Sequence, residues 1–351
     1  YPERAAWEEV NFGLSLYTVA EQASWGHLYG NASVVGAMTS FWAAEASVFN
    51  TSDYLLAYEL INEPQAGNVY ADPLDYLVPG QGDRNNLAPL YDKLAAAIRA
   101  YDTSHVIMFE PAVHEVILRQ ASGFTSGPGG PGANAVQALA YHLYCFNQNA
   151  TGDITNVTDC AANLDAYWAL ERGNKAALGG AGSFMTEFGA VGPNPSSAAA
   201  LGVWADLADT TLESWAYWSY KAFDDITTQN PATETLYNAD GSEQSFKIAA
   251  LSRTYAQAIA GVPASIAMVF NTTTAAFTLR YTINTAARVQ ATTVYLNEAV
   301  WYPAGWSAAI SPAGIATLHQ NETNYLTLVH APAANGTLTF TLTANASATA
   351  Y

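Results

Sequence analysis

The chain has 351 residues, half of them hydrophobic and only 12% charged, which indicates a globular protein rather than a disordered one. Acids outnumber Lys and Arg by 30 to 12, giving a formal net charge of −18; a surface of that sign repels phosphate backbones and anionic lipid and argues against nucleic-acid or polybasic membrane binding. No apolar run approaches the roughly 18–20 residues of a membrane span.

The chain starts at Tyr1 without an initiator Met or a signal peptide, as expected of a processed or partial chain. Residues 1–30 are mixed and aromatic and predict no clear element. From Ser33 to Phe49, apolar residues at helical spacing, including Met38, Phe41, Trp42 and Val48, predict a helix. The run Tyr54-Leu55-Leu56-Ala57-Tyr58-Glu59-Leu60-Ile61 predicts a strand buried on both faces, stopped by Asn62-Glu63-Pro64 because proline cannot extend a ladder. A polar loop to about Asn86 precedes a periodic helix from Leu87 to Tyr101, with Leu90, Leu94, Ala97 and Ile98 on one face. Strands are predicted at Val106–Phe109, Ala138–Tyr144, Phe184–Phe188 and Ser214–Tyr220. Helices are predicted at 161–172, Ser196–Thr211 and Ser245–Ala260, and Gly123–Gly132 is read as a surface loop.

Strands alternating with helices indicate parallel βαβ units. A full (β/α)₈ barrel needs about 250 residues, roughly 30 per unit, whereas five units fit between Tyr54 and Gly261. The expectation is a TIM barrel over residues 1–261 lacking its first three strand–helix units, which would lie upstream or come from another chain. Beyond Pro263, short β-rich runs at 265–270, 275–283, 289–296, 324–330 and 336–343 predict a small antiparallel β-sandwich, residues 262–351. Trp301 and Trp306 there are read as packing residues rather than a sugar platform.

Parallel barrels keep their chemistry at the C-terminal ends of the strands. Glu63, Glu110 and Glu187 all end predicted strands, and position alone does not choose among them. Two such carboxylates facing one another can hydrolyse a glycosidic bond, one as acid/base and one as nucleophile or general base. His142 and Tyr144 stand two apart at the end of a strand and therefore share a face. The phenol can hold a carboxylate ionised, and the imidazole can orient or tune an acid. Trp218, near another strand end, can floor a sugar ring. The chain has no Gly-x-Ser-x-Gly elbow, no His-Glu-x-x-His and no P-loop.

Eight Asn-x-Ser/Thr sequons, at Asn31, Asn50, Asn149, Asn156, Asn271, Asn321, Asn335 and Asn345, place the chain in the secretory pathway, either secreted or in the lumen of an endolysosomal compartment. The two cysteines, Cys145 and Cys160, flank a polar loop carrying two of those sequons. They are read as a disulfide in that compartment, two free buried thiols being the alternative.

As an ordered set, Asn62-Glu63-Pro64, His142-Leu143-Tyr144, Thr186-Glu187-Phe188-Gly189 and Trp218 resemble the successive strand-end motifs of the cellulase-like glycoside hydrolase family 5, and within it the endoglycoceramidase group. Pro79-Gly80-Gln81-Gly82-Asp83-Arg84-Asn85-Asn86-Leu87, Phe109-Glu110-Pro111, Asp224-Asp225-Ile226-Thr227 and Leu251-Ser252-Arg253-Thr254-Tyr255 extend the likeness. The resemblance implies Glu63 as acid/base and Glu187 as nucleophile of a retaining hydrolase, Asn62 on the sugar 2-hydroxyl, and His142 and Tyr144 supporting the carboxylates. It further implies Trp218, Lys221 and Asp224 at the substrate, and it sets Glu110 aside. The implied reaction splits the β-glucosyl bond between oligosaccharide and ceramide in a glycosphingolipid, without cofactor or metal. It implies a glycolipid partner and is compatible with peripheral contact with a membrane surface. A β-glucosidase on glucosylceramide or steryl glucoside is the nearer alternative, and a non-catalytic glycan- or glycolipid-binding barrel the more distant one. The Arg and the His-containing motif that family members carry on earlier strands do not occur before Glu63.

Overall fold

The computed structural model describes residues 15–149, 151–223 and 231–345. The chain divides into two compact units, one running to His142 and including Ala166–Phe184, the other comprising Leu143–Asp165 and the residues from Met185 onward. Five strands, β1 (Ala57–Glu59), β2 (Val106–Phe109), β3 (Gln137–Tyr144), β4 (Gly182–Gly189) and β5 (Ser214–Trp218), form one parallel sheet in sequence order. Helices separate them in the (β/α) manner, so the fold is a partial TIM barrel, followed by antiparallel sheets.

The first described helix, α1 (Val19–Gly30), lies where composition predicts none. Its signal is local: Thr18 caps it by accepting the Glu21 N–H at 3.3 Å, the threonine–glutamate spacing of a capping box. Helix α2 (Ala32–Phe49) follows the expected pattern and is capped by Asn31, whose Oδ1 accepts the N–H groups of Ser33 and Val34.

Strand β1 is shorter than its apolar run. Only Ala57–Glu59 pair with Val106–Met108, and the Leu60 N–H extends the ladder to the Met108 carbonyl. Tyr54 is fully exposed and Leu56 is largely so. The cause is the preceding turn, in which the Tyr54 N–H donates to the Ser52 hydroxyl and the Leu55 N–H to the Ser52 carbonyl. Pairing therefore starts only past that turn. Hydrophobic character fits both a buried strand and an exposed approach to one.

The Pro79–Leu87 segment is a buried clamp. Asp83 is fully buried and accepts hydrogen bonds from the Ala112 N–H, the Ser122 hydroxyl and the Gly123 N–H, all at 2.7–2.8 Å. Glu115 accepts the Gly80 N–H at 2.6 Å. A Cβ on Gly123 would meet the Gly80 carbonyl oxygen at 1.9 Å, so only glycine allows the two loops this approach. The Gly123–Gly132 stretch is thus not a simple surface loop: Gly123, Phe124, Gly127 and Pro128 are buried.

The helix predicted to Ala260 stops at Leu251, as α-helix Ser245–Leu251. Tyr255–Ala258 is instead strand β6, pairing antiparallel with Tyr295–Thr293. Side-chain anchoring of the intervening chain explains the break. Arg253 is buried and forms ion pairs with Asp206 at 2.6 Å and Asp209 at 2.7 Å, which hold the chain in its non-helical course. The remaining strands are β7 (Gly261–Asn271), β8 (Ala276–Ile283), β9 (Ala291–Tyr295), β10 (Trp306–Ser311), β11 (Ala316–Glu322), β12 (Tyr325–His330) and β13 (Thr337–Ala344). With β6 they form two four-stranded sheets, ordered β10-β13-β8-β7 and β11-β12-β9-β6. Strands β10 and β11 went unpredicted because Ser307–Ala309 and His319–Glu322 carry too few large β-formers. The alternating inward residues Phe277, Leu279, Tyr281, Leu326, Leu328, Leu338, Phe340 and Leu342 fill the core, and Trp301 joins them as the packing reading expects.

Asp83→Ala leaves three donors without their acceptor. It is expected to lower the free energy of unfolding by at least about 3 kcal/mol, read by urea denaturation; an unchanged midpoint would show that the clamp carries no stability.

Candidate active site

Burial is what brings polar groups together at the ends of β1–β3. Strand β3 is buried along nearly its whole length, so His142 must find partners there. Its Nδ1 lies 2.9 Å from Glu63 Oε1, and its Nε2 lies 3.6 Å from Glu110 Oε1. Glu63 follows β1 in a left-handed backbone conformation, φ 45°, which costs a non-glycine residue energy and marks functional positions. Its N–H donates to Glu110 Oε1 at 3.2 Å, and its own side chain retains 32% of its exposure. Pro64 contributes no N–H, while its carbonyl accepts the Val113 N–H.

Glu110, set aside by the resemblance, is therefore a structural neighbour of both Glu63 and His142. Only 3% exposed, it sits with Glu59 and His142 so that one ligand atom from each lies within 4.8 Å of the others. Burial pushes its carboxyl up to about 8; the His142 imidazole opposes the rise, and the Glu59 and Glu63 carboxylates add to it. Its own carbonyl accepts the Tyr91 hydroxyl at 3.0 Å. The sequence signal for Glu110 was its strand-end position, which it shares with Glu63 and Glu187.

Two residues further along β3, the Tyr144 hydroxyl donates to Glu187 Oε2 at 2.5 Å. Glu187 is half-buried on β4, and the chain turns just beyond it through Gly189 at φ 109°. A Cβ there would fall 2.2 Å from Tyr217. Ala190 donates its N–H to the Trp218 carbonyl at 3.2 Å, which fixes the β4 end beside the β5 end; the Trp218–Ser219 peptide is cis. The Trp218 ring is half-buried and Asn62 is exposed. Lys221 is exposed, its ammonium 5.3 Å from the Phe223 ring centre, and Asp224 lies outside the described residues. A cavity of about 770 Å³, lined by His27, Tyr29, Asn68, Asn86 and Lys93 among others, holds none of the predicted catalytic or substrate-binding residues.

The cysteines are bonded as Cys145–Cys160, with Cα atoms 5.6 Å apart, closing the loop between β3 and helix Val157–Ala177. Asn149 and Asn156 sit exposed on that loop.

Chemically, one compact unit holds a carboxyl in contact with an imidazole and the other a carboxyl held by a phenol, each at a strand end. Parallel-barrel enzymes keep their acids at strand ends, and the partial barrel has the fold of that class. The chain belongs to glycoside hydrolase family 5: residues 19–224 match the family described as cellulase (glycosyl hydrolase family 5), and residues 253–345 match the glycoside hydrolase family 5 C-terminal domain. It is 33% identical over 323 residues to an endoglycoceramidase of Hydra vulgaris, covering 92% of this chain and 57% of that protein. A second endoglycoceramidase, from Cyanea nozakii, is 29% identical over 98% of this chain and 65% of its own length. The chain thus spans less than two thirds of either relative. In fold it is similar to endo-glycoceramidase II from Rhodococcus sp. in its ganglioside GM3 complex, with a TM-score of 0.77, 21% identity, and coverage of 96% of this chain and 70% of that one.

Two measurements test this description. Cys145→Ser with Cys160→Ser opens a loop of 15 residues and should cost about 3 kcal/mol, read by denaturant unfolding; equal stability would show that the bridge constrains nothing. Glu110 keeps its proton in the folded chain at pH values where an exposed carboxyl, near 4, has lost it. That proton stabilises the fold fully below about pH 4, and its contribution disappears as pH rises through about 8. The thermal midpoint should therefore fall between pH 5 and 9, and fall less in Glu110→Gln. A parallel pH dependence in both proteins would refute the assignment.

Proposed function

We propose that this chain is the catalytic part of a retaining glycoside hydrolase that releases intact oligosaccharide from glycosphingolipids by cleaving the β-glucosyl–ceramide bond. The observation that carries the reading is the pair of strand-end contacts from β3, His142 to Glu63 and Tyr144 to Glu187. A nucleophile must stay ionised, and a phenol donating to Glu187 favours its charged form. An acid/base must exchange a proton, and an imidazole against Glu63 is suited to that. Membership of the family and likeness to two endoglycoceramidases support the same reaction.

In the first step the Glu187 carboxylate attacks the anomeric carbon while the Glu63 proton passes to the departing ceramide oxygen. In the second, the Glu63 carboxylate takes a proton from water as the water oxygen attacks that carbon and frees Glu187. Asn62 is assigned to the sugar 2-hydroxyl, Trp218 to the floor beneath the reacting sugar, and Lys221 and Asp224, in the sequence that follows it, to substrate binding. The barrel portion, to about residue 261, carries the chemistry, and the sandwich follows it in the chain. The substrate places the enzyme against a membrane surface by its lipid, without a charge-driven anchor. A secreted or endolysosomal location is supported by the exposed sequon asparagines, among them Asn31, Asn149, Asn156, Asn271, Asn321, Asn335 and Asn345, and by the Cys145–Cys160 bridge; Asn50 is half-buried.

The test is turnover of a glycosphingolipid with analysis of the released sugar. Glu187→Gln should lower kcat by at least roughly 10³-fold while retaining glycolipid binding, and the native chain should release intact oligosaccharide of retained anomeric configuration. Full activity in the variant would remove Glu187 from the mechanism. Glucose as the sole product would point to a β-glucosidase, and lipid binding without any product to a non-catalytic barrel.

A further inference from the structure

We propose that Glu110 is the positioning residue of a Glu110–His142–Glu63 relay, which holds the acid/base glutamate's backbone and shares its proton through the imidazole. The inference rests on the proposed role of Glu63 as acid/base. Its basis is geometric. One carboxylate oxygen, Glu110 Oε1, meets two parts of the Glu63 environment: the Glu63 N–H at 3.2 Å and His142 Nε2 at 3.6 Å. The other imidazole nitrogen touches Glu63 Oε1 at 2.9 Å. The imidazole therefore stands between two carboxyl groups, one buried and one reaching solvent.

The first task is mechanical. Glu63 occupies a left-handed backbone conformation that an L-residue adopts only under constraint. A hydrogen bond from its N–H to a buried acceptor supplies that constraint, and Glu110 is itself held through its carbonyl by Tyr91. The second task concerns the proton. With one proton on Glu110 and one on Nδ1, the assembly reads Glu110–H, Nε2, Nδ1–H, Glu63 carboxylate. Moving the Glu110 proton to Nε2 and the Nδ1 proton to Glu63 gives Glu110 carboxylate, Nε2–H, Nδ1, Glu63–H. The two arrangements have the same charge and the same number of protons, so neither needs an external donor. The first suits the base step and the second the acid step. Closing the 3.6 Å gap to hydrogen-bond length takes a shift of a few tenths of an ångström.

The groups facing Glu110 are Glu59 from β1, Glu63 from the loop after it, Tyr91 from helix Ala88–Arg99 and His142 from β3. Removing the Glu110 carboxyl takes away the group that becomes an anion when its proton sits on Nε2, and that anion favours protonation of the imidazole–Glu63 pair. The basic limb of the kcat/KM profile, a property of the whole assembly, should then move to lower pH.

The experiment compares Glu110→Gln, Glu110→Ala and Glu63→Ala on two β-glycosides, one with an alkyl alcohol leaving group and one with dinitrophenol, which departs without a proton. Glu110→Gln retains an acceptor oxygen for the Glu63 N–H and loses only the proton. It should slow the alkyl substrate about 100-fold, leave the dinitrophenyl substrate nearly unchanged in its glycosylation step, and shift the basic limb down by about one pH unit. Glu110→Ala should slow both substrates. A packing role alone would slow both substrates equally in Glu110→Gln and leave the pH profile in place, and that result overturns the relay. If Glu63→Ala itself shows no leaving-group dependence, it is the acid/base assignment that fails. A readout without turnover is the ¹⁵N resonance pair of His142: replacing Glu110 by Gln should lower the pH at which the imidazole titrates, and an unmoved titration also overturns the relay.

Discussion

Everything at the strand ends depends on the polar termination of a buried strand. Strand β3 is enclosed along almost its whole length, yet it ends in His142 and Tyr144. An unpaired imidazole or phenol in that setting would forfeit the hydrogen bonds it makes in water. Strand periodicity sends both side chains to one face, and each meets a glutamate, Glu63 and Glu187 respectively. One short alternation thus provides partners of different chemistry to two carboxyl groups. The phenol donates to its carboxyl partner, while the imidazole can pass a proton either way.

Burial then separates the acids by environment. Glu63 keeps contact with solvent, whereas Glu110 is enclosed and its carboxyl is raised accordingly. Asp83 is equally buried but accepts three hydrogen bonds from the loops around it. Buried acids in this chain thus serve two purposes, loop anchoring at Asp83 and proton holding at Glu110. Number and kind of donors distinguish them.

Much of the fold was legible because period and punctuation agree. The helix at Leu87–Tyr101 and the strands at Val106, Ala138 and Phe184 follow their apolar spacing to within a few residues. The failures share a cause. Helix α1 announces itself by its cap rather than its apolar face, and β10 and β11 are carried by cross-strand neighbours rather than by their own residues. The helix expected to Ala260 yields to Arg253, whose buried contacts with Asp206 and Asp209 outweigh local propensity.

The sequence by itself determined the alternation of strands and helices, the β-rich C-terminal region and the family, because these depend on local periodicity and on ordered short motifs. It also placed Glu63, Glu187, His142 and Tyr144 at strand ends, since a strand's stop signal is local. Only the tertiary structure decided that His142 meets Glu63 and that Tyr144 meets Glu187. It likewise restored Glu110, which the resemblance had set aside, as the group that touches Glu63 and approaches His142. Which acid meets which partner depends on strand register and on how deeply each strand end is buried, and those are properties of packing between segments tens of residues apart.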